Sequence, residues 1–341
     1  MANEIRLKDL ALALGVSITT VSKALNGHPD ISEKTRNQIV AYANEVNYIP
    51  NQVAKNFRQQ RTNIIGVILN DNSNPYNARM MHGIENYLNA RGYLPVFMDN
   101  HDDGKKEQEL IRALKSLNAA GILLTPASKD SQGVKLLRDF GIPYVLTRQY
   151  LSEDEDAYVV VDDERAGYIA TKYLLSYRNP KVFFLNASET ISSAQNRRRG
   201  YLRALEDDGM QPDSSWIISD CRNQLDGYNA MRKILETEKP PFSVVCFSDY
   251  IAAGAICALQ ERRIQIPHEV AVMGADNIEI LSFVKPRLST LDLPKKRLGM
   301  KAAEILIDII EQNHAGAEET ADAQASHRYV FKPELLARES G

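Results

Sequence analysis

The stretch Leu7–Asn26 constrains the fold of this chain more than any other segment, because it contains two short helical patterns separated by a tight turn. Gly15 can adopt the left-handed conformation that a sharp helix exit requires, and Ser17 can cap the second helix. Helices this short are not stable alone in water, so we expect a third helix over Ser32–Val46 to cover them. The apolar and small residues of the two patterns recur at helical spacing, namely Leu7, Leu10, Ala11, Leu14, Val21, Ala24 and Leu25.

Two interpretations of this helix-turn-helix pattern are open: a small helical bundle that binds nothing, and a DNA-binding module. The charge distribution favours DNA binding. Residues 1–61 contain eight Lys or Arg and five Asp or Glu, a net charge of +3, whereas the whole chain carries −3. A cationic arm on an acidic body can bind phosphates through the arm alone.

The segments IRLKDLALALGVSITTVSKALNG and ISEKTRNQIVAYANEVNYIPNQVAKNF resemble the DNA-binding head of the lac repressor/galactose repressor family of bacterial transcription regulators. The most specific signals are GVS-x-x-TVS-x-x-LNG and the YIPN at the end of the third helix. The resemblance extends over essentially all 341 residues. It implies a helix-turn-helix head over residues 1–50, followed by a hinge helix and linker over residues 51–61.

The resemblance also assigns DNA contacts to individual residues. Ile18, Thr19 and Lys23 lie where the family reads base edges, although Ile18 replaces the more usual residues and is assigned only an apolar contact with a thymine methyl. Phe57 stands where a leucine of the hinge helix usually enters the minor groove and kinks the DNA. The alternative is that residues 51–58 are a plain linker with a stray phenylalanine. The remaining contacts are to phosphates, the turn or the hinge, and fall to Ser17, Thr20, Ser22, Asn26, Asn51 and Ala54.

From Thr62 onward, short apolar strands alternate with amphipathic helices, which predicts parallel sheets buried on both faces. Two such series follow each other, so we expect two similar α/β lobes with doubly wound sheets. The resemblance implies a type I periplasmic-binding-protein fold for this effector-binding and dimerisation body, residues 62–341. The tail contains no leucine heptads, so we expect a homodimer. By analogy the first lobe comprises about 62–161 and 292–320, and the second 162–291 and 321–341.

Ligands of open α/β sheets bind beyond the carboxyl ends of the strands. Carboxylates and guanidinium groups at those ends can each make two contacts with sugar hydroxyls. The resemblance assigns the most characteristic effector contacts to Arg197 in RRRG and Asp276 in GADN. Ser248 and Arg222 depart from the amide and the aromatic residue that are common there. The predicted effector contacts are Asn74, Tyr76, Thr125, Arg148, Arg197, Arg222, Ser248 and Asp276.

The charge of the effector has two interpretations. If Arg148, Arg197 and Arg222 all face one cleft, they favour an acidic or phosphorylated sugar over a neutral one. Alternatively, Arg148 or Arg222 pairs with a nearby acid, for which Asp162 and Asp226 are the nearest examples, and the site binds a neutral sugar. We interpret Asp162-Asp163 as helix N-capping and not as a metal or acid–base pair.

The sequence has no signature of an enzyme, a cofactor site or a metal site. It contains no GxGxxG, GxxxxGK[ST], GxSxG or HExxH motif, and its six histidines show no paired metal spacing. Three cysteines without CxxC spacing indicate the reducing cytoplasm. We find neither a secretory signal pattern nor an apolar run of about 18 residues, so secretion and a membrane span are not expected.

We therefore expect a ligand-responsive transcription regulator, in the first place a repressor, without a cofactor. It binds a near-palindromic operator in double-stranded DNA as a homodimer, under the control of a small sugar-type effector that acts as inducer or co-repressor. Two alternatives from other classes are a sugar-binding transport receptor and a doubly wound enzyme. A gel shift with DNA fragments separates the regulator from both alternatives.

Overall fold

The computed structural model describes residues 5–48, 62–151, 156–315 and 327–341. The chain divides into two compact units, Met1–Thr62 and Asn63–Gly341. The predicted hinge helix, with its proposed DNA contacts Asn51, Ala54 and Phe57, lies outside the described residues.

The N-terminal unit is a three-helix bundle, as the sequence pattern predicts. Gly15 ends the first helix with a φ of 65°. The Ser17 hydroxyl accepts from the Thr20 N–H at 3.0 Å, and the Ser32 hydroxyl accepts from the Thr35 N–H at 3.2 Å, so both later helices are capped. The helices are α1 (Leu7–Ala13), α2 (Ile18–Leu25) and α3 (Glu33–Glu45). Residues from all three form the buried core, namely Leu10, Ala11, Val21, Ala24, Ile39 and Ala43.

The larger unit has two layers of helices around each of two parallel sheets, the α/β arrangement predicted from the alternating pattern. Its strands are β1 (Ile64–Leu69), β2 (Leu94–Asp99), β3 (Gly121–Leu124), β4 (Tyr144–Thr147), β5 (Tyr158–Val161), β6 (Val182–Leu185), β7 (Ile217–Ile218), β8 (Phe242–Cys246), β9 (Val270–Met273), β10 (Thr290–Asp292), β11 (Arg328–Phe331) and β12 (Glu334–Leu336). Its helices are α4 (Pro75–Ala90), α5 (Gly104–Ser116), α6 (Gln132–Asp139), α7 (Asp163–Leu175), α8 (Ser192–Glu206), α9 (Gln224–Thr237), α10 (Asp249–Glu261) and α11 (Lys295–Ala315). Short 3-10 turns lie at Ser214–Trp216 and Glu279–Ser282.

The two sheets define a first and a second lobe. The sheet of the first lobe has the strand order β11-β5-β4-β3-β1-β2, and the sheet of the second has the order β7-β6-β8-β9. Both are parallel throughout, whereas β10 and β12 form a separate antiparallel pair. Central strands such as β3, β5 and β8 are buried along their whole length, because helices cover both faces of each sheet.

Strand β11 corrects one predicted lobe boundary. We expected residues 321–341 in the second lobe, but Arg328–Phe331 pairs with β5 in the first sheet, with Val330 opposite Val160. The assignment is wrong for this strand because β5 leaves a free sheet edge that only long-range pairing identifies. Farther along the chain, Ser340 does bind the second lobe, since its carbonyl accepts from the Val272 N–H at 2.7 Å.

Helices α7 and α8 of the second lobe approach each other closely through glycines. A Cβ on Gly167 would lie 2.1 Å from the carbonyl oxygen of Arg197, and a Cβ on Gly200 would lie 1.9 Å from that of Glu164. These contacts exclude any side chain at either glycine without displacement of a backbone. Helix α8 begins at Ser192 and contains Arg197, and its N-cap Ile191 provides no capping side chain.

Candidate functional site

A small cavity lies between the two lobes, at the carboxyl ends of strands from both sheets. Its volume of about 20 Å³ is enough for about one water molecule, so this cavity holds no larger ligand in this conformation. The first lobe contributes residues of α4 and of the ends of β4 and β5. The second lobe contributes residues of α7 and α8 and of the segments after β8 and β9. The lining residues are Tyr76, Arg148, Val161, Asp163, Ser193, Arg197, Phe247, Asp276 and Leu293.

A buried ion pair forms one wall of the cavity. The Arg197 Nε donates to Asp163 Oδ1 at 2.7 Å, and the two side chains are only 8% and 6% exposed. A second guanidinium N–H of Arg197 donates to the Phe247 carbonyl, and its Cζ lies 4.2 Å from the centre of the Phe247 ring. Burial raises the pKa of Asp163 against the opposing charge of Arg197. The positive charge of Arg197 is therefore paired with the carboxylate of Asp163 inside the protein.

Arg148 forms the opposite wall and has a different environment. Its NH1 donates to the amide oxygens of Asn70 at 2.9 Å and Asn77 at 3.1 Å, and its Cζ lies 4.7 Å from the centre of the Tyr76 ring. Arg148 adopts a left-handed backbone conformation, with a φ of 66°. Burial raises the pKa of the Tyr76 hydroxyl, which keeps this ring neutral beside the cation.

Asp276 faces the cavity from the segment after β9 and is only 7% exposed. Burial raises the pKa of its carboxyl group, while the charges of Arg197 and Arg148 oppose that rise. Behind it, Asp249 accepts from the Ile278 N–H at 2.7 Å and the Thr290 hydroxyl at 2.6 Å. Burial and the nearby charge of Asp276 raise the pKa of Asp249.

Four of the eight predicted effector residues line the cavity: Tyr76, Arg148, Arg197 and Asp276. The prediction that three arginines face one cleft is wrong for Arg222. Its side chain is 79% exposed and pairs with Asp226 at 3.5 Å. This pairing is one of the alternatives that the sequence left open, and it arises because α9 begins just after Arg222 and presents Asp226 in its first turn.

The other three predicted residues stabilise local structure beside the cavity. Asn74 caps α4 by accepting from the Tyr76 N–H at 2.9 Å, and Ser248 caps α10 by accepting from the Ile251 N–H at 3.3 Å. Thr125 is buried, with its hydroxyl 2.8 Å from that of Thr147. These contacts position the strand ends.

Sequence reasoning missed Asp163, Ser193 and Phe247 as cavity residues. Asp162 is the N-cap of α7, since it accepts from the Arg165 N–H at 2.9 Å, so N-capping applies to Asp162 alone. Asp163 and Phe247 could have been predicted, because each follows its strand within two residues and ligands of open α/β sheets bind beyond the strand ends. No comparable signal marked Ser193.

In the N-terminal unit, the predicted base-reading residues occupy the outer face of α2. Ile18 is 50% exposed and Thr19 is exposed, whereas Lys23 donates to Asp30 Oδ2 at 2.5 Å. The Asn26 side chain donates to the Ser22 carbonyl at 2.7 Å. The hydroxyls of Ser17 and Thr20 lie 2.8 Å apart, so both belong to the capping turn at the start of α2.

Among the described residues, no helix is both long and apolar enough to span a membrane. Within the same ranges, no cluster of three His, Cys, Asp or Glu residues has the geometry of a metal site.

Comparison with known proteins matches both units to one family. Residues 6–51 match the family model described as "Bacterial regulatory proteins, lacI family". Residues 62–332 match the model described as "Periplasmic binding proteins and sugar binding domain of LacI family". Together the two models cover most of the chain.

Relatives and solved structures agree with these matches. The chain is 30% identical over 340 residues to the "HTH-type transcriptional repressor PurR" of Aliivibrio fischeri (strain MJ11), covering 98% of this chain and 97% of the relative. It is 28% identical over 337 residues to the protein of the same name from Aliivibrio salmonicida (strain LFI1238), covering 98% of each chain. It superposes on a structure titled "transcriptional regulator CelR-cellobiose complex" with a TM-score of 0.74, at 25% identity over 99% of this chain and 100% of that one. A lac repressor dimer bound to operator and the anti-inducer ONPF gives a TM-score of 0.86 at 20% identity, over 99% of each chain.

Proposed function

The chain belongs to the LacI family and is a DNA-binding transcriptional repressor, and from that premise we propose that a small sugar-type effector in the cleft between its lobes controls its affinity for operator DNA. The protein binds the operator as a homodimer, with the outer face of α2 in the major groove. Ile18, Thr19 and Lys23 read base edges there.

The convergence of Tyr76, Arg148, Arg197 and Asp276 on one cavity carries this proposal. A carboxylate acceptor, guanidinium donors and an aromatic face are the groups that bind a hydroxyl-bearing ring. The similarity to the transcriptional regulator CelR in its complex with cellobiose supports a sugar-type ligand.

Control of DNA affinity follows from the position of the cavity. Since both lobes line it, an effector has different contacts when the lobes are closed and when they are apart. Such a ligand shifts the equilibrium between the two arrangements by its difference in affinity for them, typically by about 1–3 kcal/mol. The closed cavity is too small for a sugar, so binding requires the lobes to separate and close around it.

A gel shift of the full-length protein on genomic fragments, over a series of salt concentrations, tests the proposal. We expect one or a few fragments to bind tightly at physiological salt, and a sugar from a panel of neutral, acidic and phosphorylated sugars to change that affinity about 5- to 150-fold. Lys23→Ala is expected to weaken operator binding, whereas unchanged affinity would contradict the role of Lys23. Failure to bind any duplex at low salt, with or without the sugars, would refute the function as proposed.

A further inference from the structure

The two arginines of the cavity differ in how their charges are matched. Arg197 is paired with Asp163 at 2.7 Å. Arg148 donates only to neutral amide oxygens, those of Asn70 and Asn77, and no described carboxylate forms an ion pair with it. The carboxylates of Asp276 and Asp163 act on Arg148 only through space, so this partly buried guanidinium group has no direct ion pair and can bind an anion itself.

The orientation of Arg148 is fixed before any ligand binds. Asn77 is fully buried, and its amide nitrogen donates to Asn70 Oδ1 at 3.1 Å and to the Asp71 carbonyl at 2.7 Å. The amide oxygen of Asn77 must therefore face Arg148. These contacts use only NH1 of Arg148, and no described residue accepts from its Nε or NH2. The Nε/NH2 edge is the planar pair of donors that binds a carboxylate through two parallel hydrogen bonds.

We propose that the effector carries a single carboxylate, which the Nε/NH2 edge of Arg148 binds. The proposal rests on the effector site proposed above and narrows its ligand to a sugar acid. Asp276 accepts from the hydroxyls at the other end of the molecule.

The charges around the cavity favour one negative charge over two. Besides Arg148 and Arg197, which is paired with Asp163, a third cation in this region is Lys295, which donates to the Asp276 carbonyl and lies 3.7 Å from an Asp292 carboxylate oxygen. A phosphate dianion would place its second charge near Asp163 and Asp276 with no further unmatched cation to bind it. A carboxylate has the charge and the planar geometry that Arg148 alone can satisfy.

Calorimetric titration of the full-length protein tests this with matched ligands. The probes are D-glucuronate and D-galacturonate, the neutral sugars D-glucose and D-galactose, and the 6-phosphates of those two sugars. We expect at least one uronate to bind more than about 10-fold more tightly than both its neutral parent and the corresponding phosphate. This comparison uses the unmodified protein, so it does not depend on the folding of any variant.

Arg148→Gln should then weaken uronate binding about 10- to 100-fold and leave the affinity for the neutral sugar nearly unchanged. Arg178→Gln is the matched control, because Arg178 also has a left-handed backbone, with a φ of 57°, but is exposed outside the cavity. The Arg178→Gln variant therefore loses the same charge as Arg148→Gln, at a residue with the same left-handed backbone. We expect uronate affinity in this variant to equal that of the wild type.

The proposal is overturned if a neutral parent or a phosphate binds as tightly as the uronate, or if no uronate binds at about 1 mM. Equal uronate affinities of Arg148→Gln and the wild type also overturn it. A neutral or phosphorylated sugar that binds and changes operator affinity would refute the carboxylate but leave the regulated repressor intact. A uronate that binds through Arg148 without changing operator affinity would support the carboxylate and refute the sugar-controlled function.

Discussion

Replacement of Asp163 by asparagine removes the carboxylate that forms an ion pair with the buried guanidinium of Arg197. Both side chains are less than a tenth exposed, and their contact distance is 2.7 Å. Breaking a buried pair leaves an unmatched charge in a poorly solvated site and usually costs about 3–5 kcal/mol. The amide oxygen of the substituted side chain can still accept from the Arg197 Nε, so we expect the free energy of unfolding to fall by about 3 kcal/mol, the lower end of that range.

Asp208→Asn is the matched control, since Lys172 of α7 pairs at the surface with Asp208, which lies just beyond the end of α8. Their contact distance is 2.9 Å, but their side chains are 38% and 43% exposed. Solvent screens such a pair, so its loss should lower the free energy of unfolding by less than about 1 kcal/mol. Urea unfolding, followed by the fluorescence of Trp216, the single tryptophan of the chain, measures both variants.

A double variant tests the physical cause. Arg197→Met removes the unmatched charge, so adding it to Asp163→Asn should recover part of the lost stability. Equal losses in Asp163→Asn and Asp208→Asn would refute the reasoning, because burial would then not determine the cost. A double variant less stable than Asp163→Asn would also contradict it, since the packing of Arg197 would then outweigh its charge.

Two further predictions concern other carboxylates. Asp30→Asn releases Lys23 from its ion pair and removes a negative charge near the DNA, so affinity for non-operator DNA should rise. The salt dependence of that affinity should steepen by about one charge, and an unchanged slope in a gel-shift salt series would contradict this. Burial raises the pKa of Asp249 to about 8, so its contribution to stability is fully present below about pH 4 and is lost as pH rises toward 8. Asp249→Asn should flatten this fall in urea unfolding from about pH 5 to pH 8, and an equally steep fall in the variant would show that Asp249 is not its source.

Much of the fold could be predicted from the sequence because its determinants are local. The helical spacing around Gly15, the caps at Ser17 and Ser32, and the buried strand runs each depend on residues close together in the chain. Local preferences of this kind are readable one segment at a time. The bundle of the N-terminal unit and the alternating strands and helices of the larger unit follow from them.

Which residues line the cavity depends on long-range packing. The sequence provided candidates but could not show which of them line the cavity. Arg148 and Arg222 both follow strands, yet one faces the cavity beside Asn77 while the other pairs with Asp226 in solvent. Asp163 lies in the cavity because the close approach of α7 and α8 at Gly167 aligns it with Arg197.

The sequence by itself predicted the helix-turn-helix head and the alternating strands and helices of the body, since turn chemistry and hydrophobic period act within a few residues, and the resemblance of its motifs indicated the family. Only the tertiary structure decided that β11 joins the first sheet, that Arg222 stays outside the cavity and that Arg148 donates to the amide oxygens of Asn70 and Asn77. The physical reason is that each of these outcomes depends on which distant groups meet. Strand pairing and helix packing determine those meetings for the whole chain at once.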